Sequence, residues 1–224
     1  MGDLLHRPWN WRALIAIGVL GLPVVIAAAL ISFTLNIPRY FVEHFLGIGE
    51  LGTFAAIAYP MAVGVTVINA LGQSAMPRLA RQYADGNRQE FAGLMLRLVG
   101  VAAALGTSGV LLIQFAGRLL LRLLYRPEYA NYFSVFLWLG VGTGLLLISG
   151  ILGYGVNAVR HFRIQMCVSI SVALVAMAAC GLLVPWWHLT GAAIAIITTF
   201  AFQAAANAAV IFYALRSRPQ GGMA

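Results

Sequence analysis

Five polar side chains crowd one short stretch of an otherwise apolar chain. They are Asn36, Arg39, Glu43, His44 and Glu50, in a sequence that is only 9% charged. Arg39 follows Pro38, and a guanidinium there could snorkel to lipid headgroups or grip a phosphate with its fork of N–H donors. Glu43 and Glu50 stand seven residues apart. A carboxylate pair can hydrolyse a glycosidic bond, but two solvated loop acids look the same in sequence. Arg118, Arg122 and Arg126 recur every four residues and would form one helical stripe, suited to headgroups or to a charged ligand. The third set is made of amides: Asn36, Asn69, Gln73, Asn157, Gln203 and Asn207 lie within or beside long apolar runs. An amide in hydrocarbon is costly unless hydrogen-bonded, so each must face protein or a water-filled cavity. Interhelical hydrogen bonding would account for any one of them. Together with Arg39, Arg118 and Arg122 they form the candidate substrate-binding set.

Other chemistries lack their signatures. His6, His44, His161 and His188 are scattered, without the spacing of a zinc site. The sequence has no G-x-x-x-x-G-K-[ST] loop for nucleotide phosphates and no G-x-S-x-G nucleophile elbow. Cys167 and Cys180 share one apolar segment, too far apart along a helix for a disulfide, and read as small apolar side chains. The expectation is therefore no catalytic residues, no metal and no cofactor, and a protein that is not an enzyme.

The elements that must position these groups follow from composition. With 62% hydrophobic residues and a mean hydropathy of +0.90, the chain lacks the polar surface a water-soluble fold of 224 residues needs. Hydrocarbon as solvent removes that need, and the reading is an all-α, polytopic membrane protein. Six spans are expected, at about 13–35, 51–75, 91–115, 132–156, 164–184 and 190–215. A polar head (1–12) and a polar tail (216–224) flank the six-helix region (13–215). Trp9, Trp11, Arg7 and Arg12 suit an interfacial anchor. A cleavable signal peptide is the competing reading of the start. The 23-residue run Ala13 to Leu35 would cover roughly 34 Å as a helix, which favours a retained span. Pro23 should kink it. Pro77 to Phe91 reads as a short amphipathic surface helix, a turn at Asp85-Gly86 and a new helix start, with Asn87 and Glu90 spaced as a capping box. Pro127 should stop the third helical run, Pro185-Trp186-Trp187-His188 should turn at an interface, and Gly140 and Gly144 form GxxxG, a pattern for close helix packing.

The fourteen arginines set the orientation. With six spans, one side holds Arg7, Arg12, Arg78, Arg81, Arg88, Arg97, Arg160, Arg163, Arg216 and Arg218; the other holds Arg39, Arg118, Arg122 and Arg126. Ten against four places both termini in the cytoplasm of a multi-pass protein of the cytoplasmic (inner) cell membrane. Because the arginines are dispersed between apolar runs, the net charge of +8 reads as membrane-loop charge, and no nucleic-acid partner is expected.

Four stretches, in order, resemble a known family. NIPRYFVEHFLGIGELGTFAAIAY, NALGQSAMPRLARQYADGNRQEF, LLYRPEYANYF and HLTGAAIAIITTF are similar to the second lobe of polysaccharide biosynthesis membrane proteins, the oligosaccharide-lipid flippases of the multidrug/oligosaccharidyl-lipid/polysaccharide exporter superfamily. The likeness covers about Arg12 to Tyr213. Where the family writes YGPEY, Arg126 replaces the glycine. The resemblance implies two six-helix lobes around a central cavity, of which this chain matches only the second. It also implies movement of a polyprenyl-pyrophosphate-linked oligosaccharide between leaflets, often with ion coupling, in making lipopolysaccharide or another cell-surface polysaccharide. Membrane lipid and a second lobe, as a homodimer or a separate chain, are the partners implied. Two other readings stay open: a fragment of a longer transporter, or a non-transporting scaffold in polysaccharide assembly. A membrane-embedded glycan enzyme should carry acids or a histidine in a long outer loop, and these outer loops are short.

Overall fold

The computed structural model describes residues 11–216 except 60, 126, 160 and 161, and side chains from 29 onward except 60, 61, 124, 126, 127 and 160–163. Residues 1–10 of the head, the tail beyond Arg216, Arg126, Arg160 and His161 lie outside the described residues, as do the side chains of Trp11, Arg12, Pro23 and Arg163. The described chain is helical, with no strand among the described residues. In order it comprises α1 (Trp11–Leu46), α2 (Ile48–Ala58), α3 (Met61–Ala84), α4 (Arg88–Leu124), a 3-10 turn (Pro127–Tyr132), α5 (Phe133–Ala158) and α6 (Phe162–Arg216). Three helices are long and apolar enough to cross a membrane: Arg88–Leu123, Glu128–Ala158 and Ile164–Arg216; α2 and α3 qualify as a fourth if the bent pair is taken as one span. Helices suit such a chain because they satisfy every interior backbone N–H and C=O within the segment.

The residues predicted to be a turn between the first two spans are mostly helix. α1 continues past Leu35 to Leu46, and the break falls at Gly47, whose φ of 86° suits glycine. Helical periodicity explains the difference. Ser32, Asn36, Arg39 and Glu43 share one face, while Ile37 and Val42 are buried on another. A polar cluster in an apolar sequence can mark a helix face as well as a loop. Pro38 does not stop the helix. Likewise α3 runs unbroken through Pro77, burying Ala75 and Leu79 and exposing Arg78 and Arg81, so no separate surface helix forms. The expected turn does form at Asp85-Gly86, where Gly86 has φ 73°. The Asn87 side chain then accepts a hydrogen bond from the Glu90 N–H and caps α4.

α5 is the central post. It packs against α6, α4 and α3, while α1 packs against α6 and α2. Close approach to α4 depends on two glycines: a Cβ on Gly106 would stand 2.7 Å from the Gly144 Cα. The GxxxG of α5 is thus used inside the chain, with Gly144 against α4 backbone and Gly140 against Ile113. α6 is two helices joined at His188, whose φ of 52° lies in the left-handed region. Gly142 faces Ile196 and Gly153 faces Asn207, so the second arm (189–216) runs parallel to α5.

Buried apolar residues gather in two clusters. One holds Phe54, Leu139, Cys180, Val184 and Leu189, at the end where the α1–α2 junction, the 3-10 turn and the His188 break meet. The other holds Leu79, Phe91, Met95, Ile151 and Ile211, at the end of the α3–α4 turn and the α6 terminus. Arg88 at that second end donates to the Leu215 carbonyl at 2.7 Å, tying α4 to one of the last carbonyls of α6.

Candidate functional site: an amide-lined cleft

A cleft of about 270 Å³ opens between α1, α3, α5 and both arms of α6. Its apolar walls include Ile31, Leu35, Ile68, Leu147, Val172 and Phe200. Its polar groups are amides and hydroxyls: Asn69 on α3, Tyr154 and Asn157 on α5, Gln165 and Ser169 on the first arm of α6, and Gln203 on the second, with Thr34 and Ser149 completing the set. Among the described residues, no Asp, Glu, Arg, Lys or His lines it. A neutral, hydrogen-bonding cavity of this kind matches ligands by shape and by hydroxyl or amide contact.

Helical spacing delivers these groups to one place. Gly150, Gly153, Tyr154 and Asn157 follow one another on a single face of α5 and all line the cleft. Gln165 and Ser169, four residues apart, do the same on the first arm of α6. Gly72 leaves room for the Tyr154 ring, which crosses to α3 and donates its hydroxyl to Asn69 Oδ1 at 3.3 Å. Several other groups are already engaged within their own helices. The Thr34 hydroxyl donates to the Leu30 carbonyl at 2.8 Å, and the Ser149 hydroxyl to the Leu146 carbonyl at 3.0 Å.

Two amide oxygens near the cleft have no partner. Gln165 lines the cleft and is 7% exposed, and its Oε1 is buried and unsatisfied. Asn207 is fully buried behind Ser149; its Nδ2 donates to the Ser149 carbonyl at 3.2 Å while Oδ1 has none. A buried acceptor without a donor costs about 1–3 kcal/mol. Gln82 Oε1 shares this condition, but it lies in the last turn of α3, away from the cleft.

Of the sequence-predicted set, the structure brings Asn69, Asn157 and Gln203 into the cleft and Asn207 directly behind it. The others stand elsewhere. Arg39 is exposed on α1, its guanidinium donating to Asn36 Oδ1 at 3.3 Å, while Asn36 Nδ2 donates to the Ser32 carbonyl. Gln73 is exposed one turn beyond Asn69. Arg118 lies over the Phe133 ring, 5.2 Å from its centroid, and Arg122 is exposed in the last turn of α4. Glu43 and Glu50 fall on opposite sides of the Gly47 break, and burial, with the nearby Glu50 carboxylate, raises the pKa of Tyr132. Among the described residues, no three His, Cys, Asp or Glu side chains gather to hold a metal ion.

Sequence reasoning missed Thr34, Ser149, Tyr154, Gln165 and Ser169. For Gln165 and Ser169 a signal existed: two polar residues at i and i+4 on an otherwise apolar helix share one face. Gln165 sits beside the basic loop at the start of its span, where a polar side chain is ordinary, and this hid it.

The chain is 31% identical over 193 residues to the capsular polysaccharide biosynthesis protein CapF of Staphylococcus aureus, an alignment covering 86% of this chain and 48% of the relative. The chain therefore spans about half the length of the curated relative it matches. No protein-family model matches the sequence. No solved structure matches it.

Proposed function

We propose that this chain is one six-helix lobe of a membrane transporter that carries lipid-linked oligosaccharide across the cytoplasmic membrane during cell-surface polysaccharide synthesis, and that it works with a second lobe. The observation that carries the reading is the amide-lined cleft held inside a bundle of membrane-length apolar helices. A carrier needs an interior cavity with polar groups facing it, and this cleft offers several. Similarity to a capsular polysaccharide biosynthesis protein supplies the direction of the chemistry.

In this reading the six crossings are α1, the α2–α3 pair, α4, α5 and the two arms of α6, with both termini in the cytoplasm. α4 supports the register. Arg97 and Arg118 are 21 residues apart, which is about 31 Å of helix against a hydrocarbon core of about 30 Å. Arg97 then lies at the inner boundary and Arg118 at the outer one. Trp186 and Trp187, both exposed beside the His188 break, fall at the outer interface. The exposed polar face of α1, from Ser32 to Glu43, and that of α3, with Thr66 and Gln73, face the second lobe. Arg39 on that face contacts the phosphates of the lipid carrier. The protein works by binding and reorientation, without catalysing a reaction.

A chimera tests this. This chain replaces the matched half of the S. aureus relative, in cells lacking that relative. Surface capsule should return; glycan that remains wholly intracellular, with the chimera correctly inserted, would refute the transport role. Reporter fusions after Gln89, Tyr129 and Arg216 should read cytoplasmic, external and cytoplasmic.

A further inference from the structure

The cleft has a chemical character that the pyrophosphate part of such a substrate does not share. Phosphate oxygens call for cations or clusters of N–H donors, and among the described residues the cleft lining holds neither arginine nor lysine nor histidine. What it holds is Asn69, Asn157, Gln165 and Gln203 on four separate helical segments, with the Tyr154 ring at one wall. Each amide has a donor end and an acceptor end, and a hydroxyl group can serve either. Gln165, one of these lining residues, is 7% exposed and its buried Oε1 has no partner. A sugar hydroxyl brought against the Gln165 amide could donate to this oxygen and offset the cost of leaving it bare.

We infer that the cleft is a binding site for an uncharged sugar ring, held by amide-to-hydroxyl hydrogen bonds and stacked near Tyr154, and that it excludes sugar phosphates. The inference rests on the transport reading and deepens it: glycan and phosphate are recognised in different places, the glycan by the neutral cleft and the phosphate on the arginine-bearing face of α1. The cleft volume of about 270 Å³ suits one ring rather than a chain of them. The apolar remainder of the lining, Ile68, Leu147 and Phe200 among it, would meet the C–H face of the ring.

The test uses the full chain in lipid nanodiscs. Methyl glycosides of neutral hexoses and N-acetylhexosamines are titrated by ligand-observed NMR, with glucose 1-phosphate as the charged counterpart. At least one neutral glycoside should saturate in the millimolar range, at least tenfold tighter than glucose 1-phosphate. Gln165→Leu and Gln203→Leu should each weaken it tenfold or more, while Gln165→Asn retains part of the affinity and Ser108→Ala, on the exposed face of α4 outside the cleft, leaves it unchanged. Helix content and thermal unfolding of each variant separate loss of the site from loss of the fold. The site assignment is overturned if no neutral glycoside saturates, if binding ignores both leucine variants in folded protein, or if the sugar phosphate binds better with the same dependence on Gln165. Capsule formation by the chimera gives an independent readout. Sugar binding without capsule keeps the site and removes the transport reading. Capsule that survives Gln165→Leu and Gln203→Leu together keeps transport and removes the site.

Discussion

Two polar regions lie within this apolar chain, and they handle their hydrogen bonds in opposite ways. At the end where α2, α4 and α5 meet, polar groups are matched. The Tyr125 hydroxyl donates to the Ala56 carbonyl at 2.7 Å, Tyr125 and Tyr129 stack at 5.2 Å, and Arg118 covers the Phe133 ring. In the cleft between α1, α3, α5 and α6, Gln165 and the neighbouring Asn207 each keep an amide oxygen unpaired. Satisfied polar groups fix a structure, and their removal loosens it. Unsatisfied ones cost stability until something arrives to pair with them. The difference distinguishes these two regions where residue type does not, since both would look polar in the sequence; it is a contrast of this pair alone, because Gln82 Oε1, away from the cleft, is unpaired too.

The largest effect that can break this comparison is at Gln165. Replacing it with leucine removes a buried acceptor that has no partner. Folding stability should hold or rise by about 1 kcal/mol, while capsule export through the chimera falls at least tenfold. The opposed signs are the point. Thermal unfolding in detergent that shows a clear loss of stability would make Gln165 a brace, and the distinction between the two regions would fail.

Asn207 sharpens the same contrast because it belongs partly to each kind. Its Nδ2 is bonded to the Ser149 carbonyl and its Oδ1 is free. Asn207→Ala removes a buried side chain and one interhelical hydrogen bond, and should cost about 1–2 kcal/mol. Asn207→Leu refills the space and should recover part of that loss. If both variants unfold at the wild-type midpoint, the α5–α6 contact carries no stability and Asn207 reads as part of the site alone.

Much of this organisation could be read before the structure. The Asn87 cap, the Gly86 turn, the stop at Pro127 and the break at Pro185-Trp186-Trp187-His188 all rest on local chemistry, which a sequence carries directly. Asn69, Asn157 and Gln203 were legible as cleft residues because a buried amide in an apolar helix is expensive enough to need a reason. The extension of α1 through Pro38 to Leu46 was not legible, since polar residues clustered in sequence suggest a loop until their helical face is counted. Gln165 was hidden because its significance depends on depth, and depth is set by how α6 stands against α5 and α3. The separation of Arg118 from the cleft is likewise tertiary: Arg118 at one end of α4 and Asn157 at the other end of α5 differ in place, not in local pattern.

The smallest effect belongs to the braced end. Tyr125→Phe keeps the ring that stacks on Tyr129 and deletes only the hydroxyl that reaches the Ala56 carbonyl. That carbonyl still accepts from the Tyr59 N–H at 3.2 Å, so it is not left bare. The loss should therefore sit near the lower end of the usual range for one hydrogen bond, about 0.5–1 kcal/mol, and appear as a lower unfolding midpoint. Export should be unchanged, because a ring held in place still keeps α2 against the 3-10 turn and no part of the cleft is touched. A Tyr125→Phe chain that is as stable as wild type yet exports poorly would reverse the assignment: the matched end would then be the working part, and pairing of polar groups would no longer tell brace from site.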